Sequence, residues 1–113
     1  MQVVKREKEL QWVPHPFLSI QIMHFLTKKD DQADITCFLV KVPKGTSIEE
    51  HVHETQEDII YVMKGRGRMW VDGVGDFALE PGTFIRVPRN TRHRMYDVTE
   101  DLLNFDVFSP PLF

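Results

Sequence analysis

Residues 51–65 read HVHETQEDIIYVMKG, and this stretch decides the fold. His51 and His53 are two positions apart, and side chains at that spacing point to the same side of a β-strand but diverge on a helix. The run 59–63 that follows is rich in β-branched and aromatic residues and ends before Gly65, as a strand before a turn does. The sequence therefore predicts strand structure around a pair of histidines.

Outward from this stretch, the chain is a series of short apolar runs separated by turn residues. A sustained 3.6-residue apolar stripe is missing, and Lys5–Trp12 is the best helical candidate. Many short strands at regular spacing predict an all-β fold, either an antiparallel sandwich or a barrel. The predicted strands are 17–26, 35–43, 58–64, 67–72, 76–79, 83–87, 93–98 and 102–108.

Composition narrows the class of protein. A chain of 113 residues is long enough for one domain with its own core, and we predict a single domain over residues 1–113. The only cysteine, Cys37, lies in an apolar run and is expected to be a buried free thiol, which suits a reducing compartment. A net charge of −3 and the lack of a long apolar stretch favour a cytoplasmic protein with neither a nucleic-acid nor a membrane partner.

Histidine and acidic residues form a candidate metal site. His93 lies far along the chain from the first two histidines, and either Glu57 or Asp58 can supply a carboxylate. Strand alternation from His53 favours Glu57, but the turn-like residues 54–56 interrupt that alternation, so both acids stay open. Imidazole with carboxylate suits Mn, Fe, Ni, Zn or Cu, and such a set leaves coordination positions for water or substrate.

Two glycine-framed patterns carry a family resemblance. The first covers residues 45–65 and consists of Gly45, His51, His53, Asp58 and Gly65. The second covers residues 82–97 and consists of Gly82, Pro88, Asn90, His93 and Asp97. These patterns resemble the two cupin motifs, although Asn90 stands where the family usually has glycine and Asp97 where it usually has asparagine. The chain thus resembles a small single-domain cupin.

The resemblance implies a double-stranded jelly-roll β-barrel, usually assembled as a homodimer, that holds one divalent transition metal per chain. By position, the metal ligands would be His51, His53, Asp58 and His93. The family usually has glutamate at the acidic position, and the shorter aspartate could leave a three-histidine site. The last residues, 105–111, also resemble the ending of small uronate-processing cupins of pectin breakdown.

The implied function is an enzyme that uses the metal as a Lewis acid on a small oxygenated substrate, such as a sugar acid or another carboxylate. Isomerase or lyase chemistry is favoured. A metal-dependent dioxygenase and a non-catalytic cupin that binds a small ligand are the alternatives.

Three further residues are candidates for roles outside the metal-ligand set. Arg86 interrupts the apolar run 83–87, and a guanidinium pointing into the barrel would anchor a carboxylate or phosphate group of the substrate. An outward Arg86 paired with an acid is the alternative. His24 is expected to be a core or interface histidine, and His15, between two prolines, is expected at the surface.

Overall fold

The computed structural model describes residues 2–113, and nearly all of its regular structure is β-strand. A 3₁₀ turn spans Glu7–Glu9, within the predicted helix, and one short helix, α1, spans Lys28–Asp31. The predicted all-β fold is confirmed. The strands are β1 (Val13–Pro14), β2 (Gln21–Leu26), β3 (Thr36–Val42), β4 (Ile48–His51), β5 (Glu57–Val71), β6 (Gly75–Leu79), β7 (Phe84–Val87) and β8 (His93–Ser109).

Two long strands, β5 and β8, organise the antiparallel sheet. They pair with each other from Glu57↔Ser109 to Val71↔His93, and each takes different neighbours at its two ends. β7 pairs with the first half of β5, and β6 pairs with the second half. β4 pairs with the start of β8, and β3 pairs with its end. The sheet therefore folds over into two layers, which is the jelly-roll arrangement.

The fold turns at a corner shared by β5 and β8. Strand breaks were predicted at Gly65 and at residues 99–101, and both predictions are wrong because the two strands continue through these positions. Register shifts between Val62 and Arg68 bend the pair without separating it. Gly65 has a φ of +94°, and a Cβ on it would collide with the carbonyl oxygen of Asp101. Glycine is therefore required at this corner.

The corner also changes which residues of β5 face the core. Before it, Asp58, Ile60 and Val62 are buried, whereas after it the buried positions are odd-numbered and include Met69 and Val71. Apolar side chains from both layers fill the core between them. Cys37 is a buried free thiol, as predicted. Across residues 2–113, no helix combines the length and apolar character needed to span a bilayer.

Candidate metal centre

Three imidazoles converge between the two layers. His51 ends β4 and His93 begins β8, and the two residues are partners in the sheet register. His53 lies in the loop after β4, and its carbonyl oxygen accepts a hydrogen bond from the Asn90 backbone N–H at 2.6 Å. One ring nitrogen from each histidine lies within 4.8 Å of the other two. The structure thus brings together the three histidines that the sequence singled out.

Backbone carbonyls orient two of these rings. His51 Nδ1 lies 2.8 Å from the carbonyl oxygen of Glu49, and His93 Nδ1 lies 2.9 Å from that of Thr91. Each Nδ1–H therefore donates to a carbonyl, which leaves the Nε2 lone pair free to bind a metal. Nε2 of His93 is buried and has no hydrogen-bond partner among the described residues. A bound metal would satisfy this nitrogen, so the donor set fits a metal ion.

The histidines are held in the form that binds metal. Burial lowers the pKa of His53 to about 4, and the nearby His51 and His93 act in the same direction. Burial, followed by the effect of His51, lowers the pKa of His93 to about 4. Both side chains are therefore neutral near pH 7, and neutral imidazole is the ligand that a divalent metal requires.

Asp58 and Glu57 point to opposite faces of β5. Asp58 is buried, and its Oδ2 lies 3.9 Å from His93 Nε2. Glu57 instead forms an ion pair with Arg86. Of the two acids that the sequence left open, Asp58 is the one that faces the histidines. Coordination of the metal by Asp58 stays a prediction.

Arg86 lies outside the site. Its Nε donates a hydrogen bond to Glu57 Oε2 at 3.0 Å, and its side chain is 62% exposed. In β7, Ile85 and Val87 take the buried positions, so strand alternation turns Arg86 outward. The structure therefore contradicts an inward guanidinium and gives Arg86 the alternative position, paired with an acid.

A cavity of about 320 Å³ lies beside the histidines, a size suited to a small molecule. Lysine and arginine are absent from its lining within the part of the chain that the structure describes. Most of the lining is apolar and comes from Phe17, Leu18, Ile20, Phe38, Val40, Ile48, Val52, Ile60, Met95, Phe108 and Leu112.

Two polar residues of the cavity, Asn104 and Asp106, were missed by the sequence interpretation. Both are buried on the second half of β8. Together with Asp58 on β5 they form what we call the acid wall, which faces the histidine wall of His51, His53 and His93. The Oδ1 atoms of all three acid-wall residues lack a hydrogen-bond partner within residues 2–113. They are therefore available to a bound molecule.

Burial raises the pKa values of the two carboxyl groups of the acid wall. It raises the pKa of Asp58 to about 7. It also raises the pKa of Asp106 well above its ordinary value, and the neighbouring Asp58 acts in the same direction. The acid wall therefore favours protonated carboxyl groups in a pH range where most aspartates are ionised.

The remaining two histidines lie on the side of the barrel formed by β1 and β2. His24 packs edge-on against Phe113, at 5.4 Å between ring centroids, and near Phe38. This position fits the core interpretation made for it. His15 was expected at the surface, but it is only partly exposed and lines the cavity. The path of the segment before β2 brings it there, and no local sequence signal marks that path.

Both departures from the family motif are compatible with the backbone. Asn90 has a φ of +56° and Asp97 a φ of +48°, in the left-handed region. Asparagine and aspartate tolerate this region better than other residues that carry a Cβ. Asn90 can therefore replace glycine at a turn that its N–H ties to His53.

Comparison with known proteins agrees with this geometry. Residues 38–107, more than half of the chain, match the family model described as cupin domain. Over 51 residues, 45% of this chain, the sequence is 43% identical to quercetin 2,3-dioxygenase of Bacillus subtilis (strain 168). That match spans 15% of the length of the enzyme.

Two solved structures share the whole fold. The structure of KdgF from Halomonas sp. superposes with a TM-score of 0.78 and 27% identity, over 93% of this chain and 92% of that one. A predicted oxalate decarboxylase from Thermotoga maritima gives a TM-score of 0.83 over 96% of this chain and 99% of that one. At 21% identity, the second likeness concerns the fold alone.

Proposed function

This chain belongs to the cupin domain family, and on that premise we propose that it binds one divalent transition metal per chain and uses it on a small oxygenated substrate. The observation that carries the proposal is the approach of three ligand nitrogens within 4.8 Å, beside a cavity of about 320 Å³. His51, His53 and His93 would hold the metal. Mn, Fe, Ni, Zn and Cu all suit this donor set.

A metal bound here would supply Lewis-acid polarisation of a substrate oxygen. The chain supplies the rest. Hydrogen bonds to the Glu49 and Thr91 carbonyls fix two of the imidazoles, and the apolar lining excludes water from the bound substrate. Burial raises the pKa of Asp58 to about 7, so this carboxyl group can hold or release a proton near neutral pH, and the raised pKa of Asp106 favours a protonated neighbour. Movement of a proton between neighbouring atoms is the essence of isomerase and lyase chemistry, which we therefore favour.

The cavity narrows the substrate class. A carboxylate in an apolar site needs a cation as partner, and Arg86 does not reach the cavity. One acidic group could be paired by the metal itself, but a second would have no partner. We therefore narrow the proposal to neutral substrates and to substrates with one acidic group.

A dioxygenase is the second candidate. It is favoured by the 43% identity to part of the Bacillus subtilis quercetin 2,3-dioxygenase and by the aromatic side chains of the cavity, which include Phe38 and Phe108. Oxygen consumption by the iron- or copper-loaded protein, with quercetin as probe, separates this candidate from the first. Isomerase and lyase reactions proceed at the same rate without oxygen.

Metal analysis of protein purified without a histidine tag tests the proposal. We expect about one divalent transition metal per chain, since this ligand set forms a single site. The double variant His51→Ala/His93→Ala should lose the metal, because only one imidazole of the histidine wall remains. His24→Gln, which removes a histidine outside the cluster, is the matched control and should keep it. Full metal retention by the double variant would contradict the proposal.

A further inference from the structure

Among residues 2–113, His15 is the one histidine that lines the cavity without belonging to the metal cluster. It follows β1, and its ring meets the rings of Phe17 and Phe113 edge-on, with centroids 5.9 Å and 5.8 Å away. These contacts fix the plane of the ring. His15 therefore occupies a defined position in the cavity wall.

Backbone hydrogen bonds select the tautomer of this ring. His15 Nδ1 accepts from the backbone N–H of Phe17 at 3.0 Å and from that of Leu18 at 3.2 Å. A nitrogen that accepts carries no proton, so in neutral imidazole the proton lies on Nε2. Burial lowers the pKa of His15, which favours the neutral form. Both hydrogen bonds that this ring makes within residues 2–113 end on Nδ1, which leaves Nε2–H for another acceptor.

The same hydrogen bonds set His15 apart from the metal ligands. To coordinate through Nε2, the ring would have to move its proton to Nδ1, where it would confront two backbone N–H groups. His51 and His93 have the opposite arrangement, because their Nδ1 atoms face carbonyl oxygens. His15 is therefore built as a donor and the other two as ligands.

We propose that His15 binds the substrate, with Nε2–H donating a hydrogen bond to an uncharged oxygen of the molecule in the cavity. This inference deepens the proposed function and rests on it. Within residues 2–113 the acid wall has oxygen atoms without hydrogen-bond partners, and the His15 ring, which lines the same cavity, can add a donor to them. The ligand class that fits is a small molecule with a metal-binding oxygen pair and a further hydroxyl or carbonyl oxygen that accepts from His15.

Two substitutions separate binding from structure. His15→Asn places Oδ1 where Nδ1 was, so it can still accept from the Phe17 and Leu18 N–H groups, but it removes the Nε2 donor. His15→Gln keeps an N–H₂ donor near the Nε2 position but loses the acceptor. If His15 only holds the backbone, asparagine can replace it. If His15 donates a hydrogen bond to the substrate, glutamine can replace it.

The test uses cobalt-loaded protein and two pyranones, kojic acid and allomaltol, which chelate metals through the same oxygen pair. Kojic acid has one additional hydroxyl oxygen. Titration followed by the cobalt absorption bands should show that wild type prefers kojic acid, and His15→Asn should reduce that preference about fivefold, the effect of one hydrogen bond. His15→Gln should keep the preference within about twofold.

An unchanged preference in His15→Asn, including no preference or no binding in either protein, overturns the role of His15. The same holds if His15→Gln behaves like His15→Asn. Failure of wild-type protein to take up cobalt overturns the metal-dependent function instead. In that case, titration of the metal-free proteins with the two pyranones, followed by NMR, decides the role of His15 by itself.

Discussion

The histidine wall and the acid wall face the same cavity but are prepared differently. Two imidazoles of the histidine wall are oriented by hydrogen bonds from Nδ1 to backbone carbonyls, and burial lowers the pKa of His93, so its ring is neutral with a free Nε2 lone pair. In the acid wall, the buried Oδ1 atoms of Asp58, Asn104 and Asp106 have no hydrogen-bond partner within residues 2–113. The first wall is preorganised for one ion, whereas the second has polar groups that a bound molecule could satisfy.

This difference separates two tasks within one barrel. The pairing of β4 with the start of β8 positions His51 and His93, whereas the pairing of the first half of β5 with the second half of β8 positions the acid wall. Since the two pairings lie in different layers, a substitution in one wall leaves the hydrogen bonds of the other in place. The walls can therefore be tested one at a time.

The largest effect on stability is expected at the corner shared by β5 and β8. Gly65→Ala should lower the free energy of unfolding by at least about 3 kcal/mol, because a Cβ would collide with the carbonyl of Asp101. Gly73→Ala is the matched control: it has a φ of +82° but nothing within 4 Å of its Cβ, so its loss should stay near about 1–2 kcal/mol. Urea unfolding measures both, and equal losses would show that the contact at the corner is not what matters.

The second-largest effect is expected on metal affinity, to which the acid wall contributes through Asp58. Asp58→Asn should lower metal affinity at least about tenfold, because the buried carboxyl group faces the histidines. Glu57→Gln alters the neighbouring acid on the opposite face and should leave affinity unchanged. Competition with a chelator provides the measurement. Equal affinities for Asp58→Asn and wild type would define a site formed by histidines alone.

The pH dependence of the metal-free protein should distinguish the walls. Between pH 4 and pH 6.5, the folded state binds fewer protons at His53 and His93 than the unfolded state, so these residues make stability rise with pH. Asp58 acts in the opposite sense between pH 3.8 and about 7, because its folded pKa is raised. In wild type, the two contributions oppose each other.

Removing the two carboxyl groups of the acid wall should reveal how the histidines alone make stability depend on pH. The variant Asp58→Asn/Asp106→Asn should lose stability more steeply than wild type as the pH falls from 6.5 toward 4. Urea unfolding in the presence of EDTA, at several pH values in this window, measures the slopes. Parallel curves for the two proteins would mean that the carboxyl groups do not offset the histidines.

The smallest effect is expected outside both walls. Arg86→Ala removes an exposed ion pair and should leave the midpoint of urea unfolding almost unchanged. It should leave the affinity of the cobalt-loaded protein for kojic acid unchanged. A clear loss of affinity would return Arg86 to the role of substrate anchor.

The sequence was most informative about the histidine wall. The spacing of His51 and His53, and the two glycine-framed motifs, identified the family and three residues that the structure brings together. Gly65 also had a strong signal, but the signal was read as a turn. Glycine marks any backbone position with positive φ, and only the pairing of β5 with β8 distinguishes a corner within a strand from its end.

The sequence pattern of β8 does not predict the acid wall. Asn104 and Asp106 share a face of β8 with Leu102 and Phe108, but the opposite face also carries apolar residues such as Phe105. With apolar side chains on both faces, alternation does not reveal which face is buried. Arg86 was misleading for the same reason, because Phe84 on its own outward face is apolar and exposed.

Near the corner, β8 changes which of its side chains face the core. Its buried positions are odd-numbered at His93 and Met95 but even-numbered from Val98 onward, including Asn104 and Asp106, so the alternation changes at Asp97, where φ is +48°. The two halves of β8 therefore differ by one residue in the alternation of buried and exposed side chains. Each half keeps its own frame, so a slip in the register of one half need not turn the side chains of the other away from the cavity.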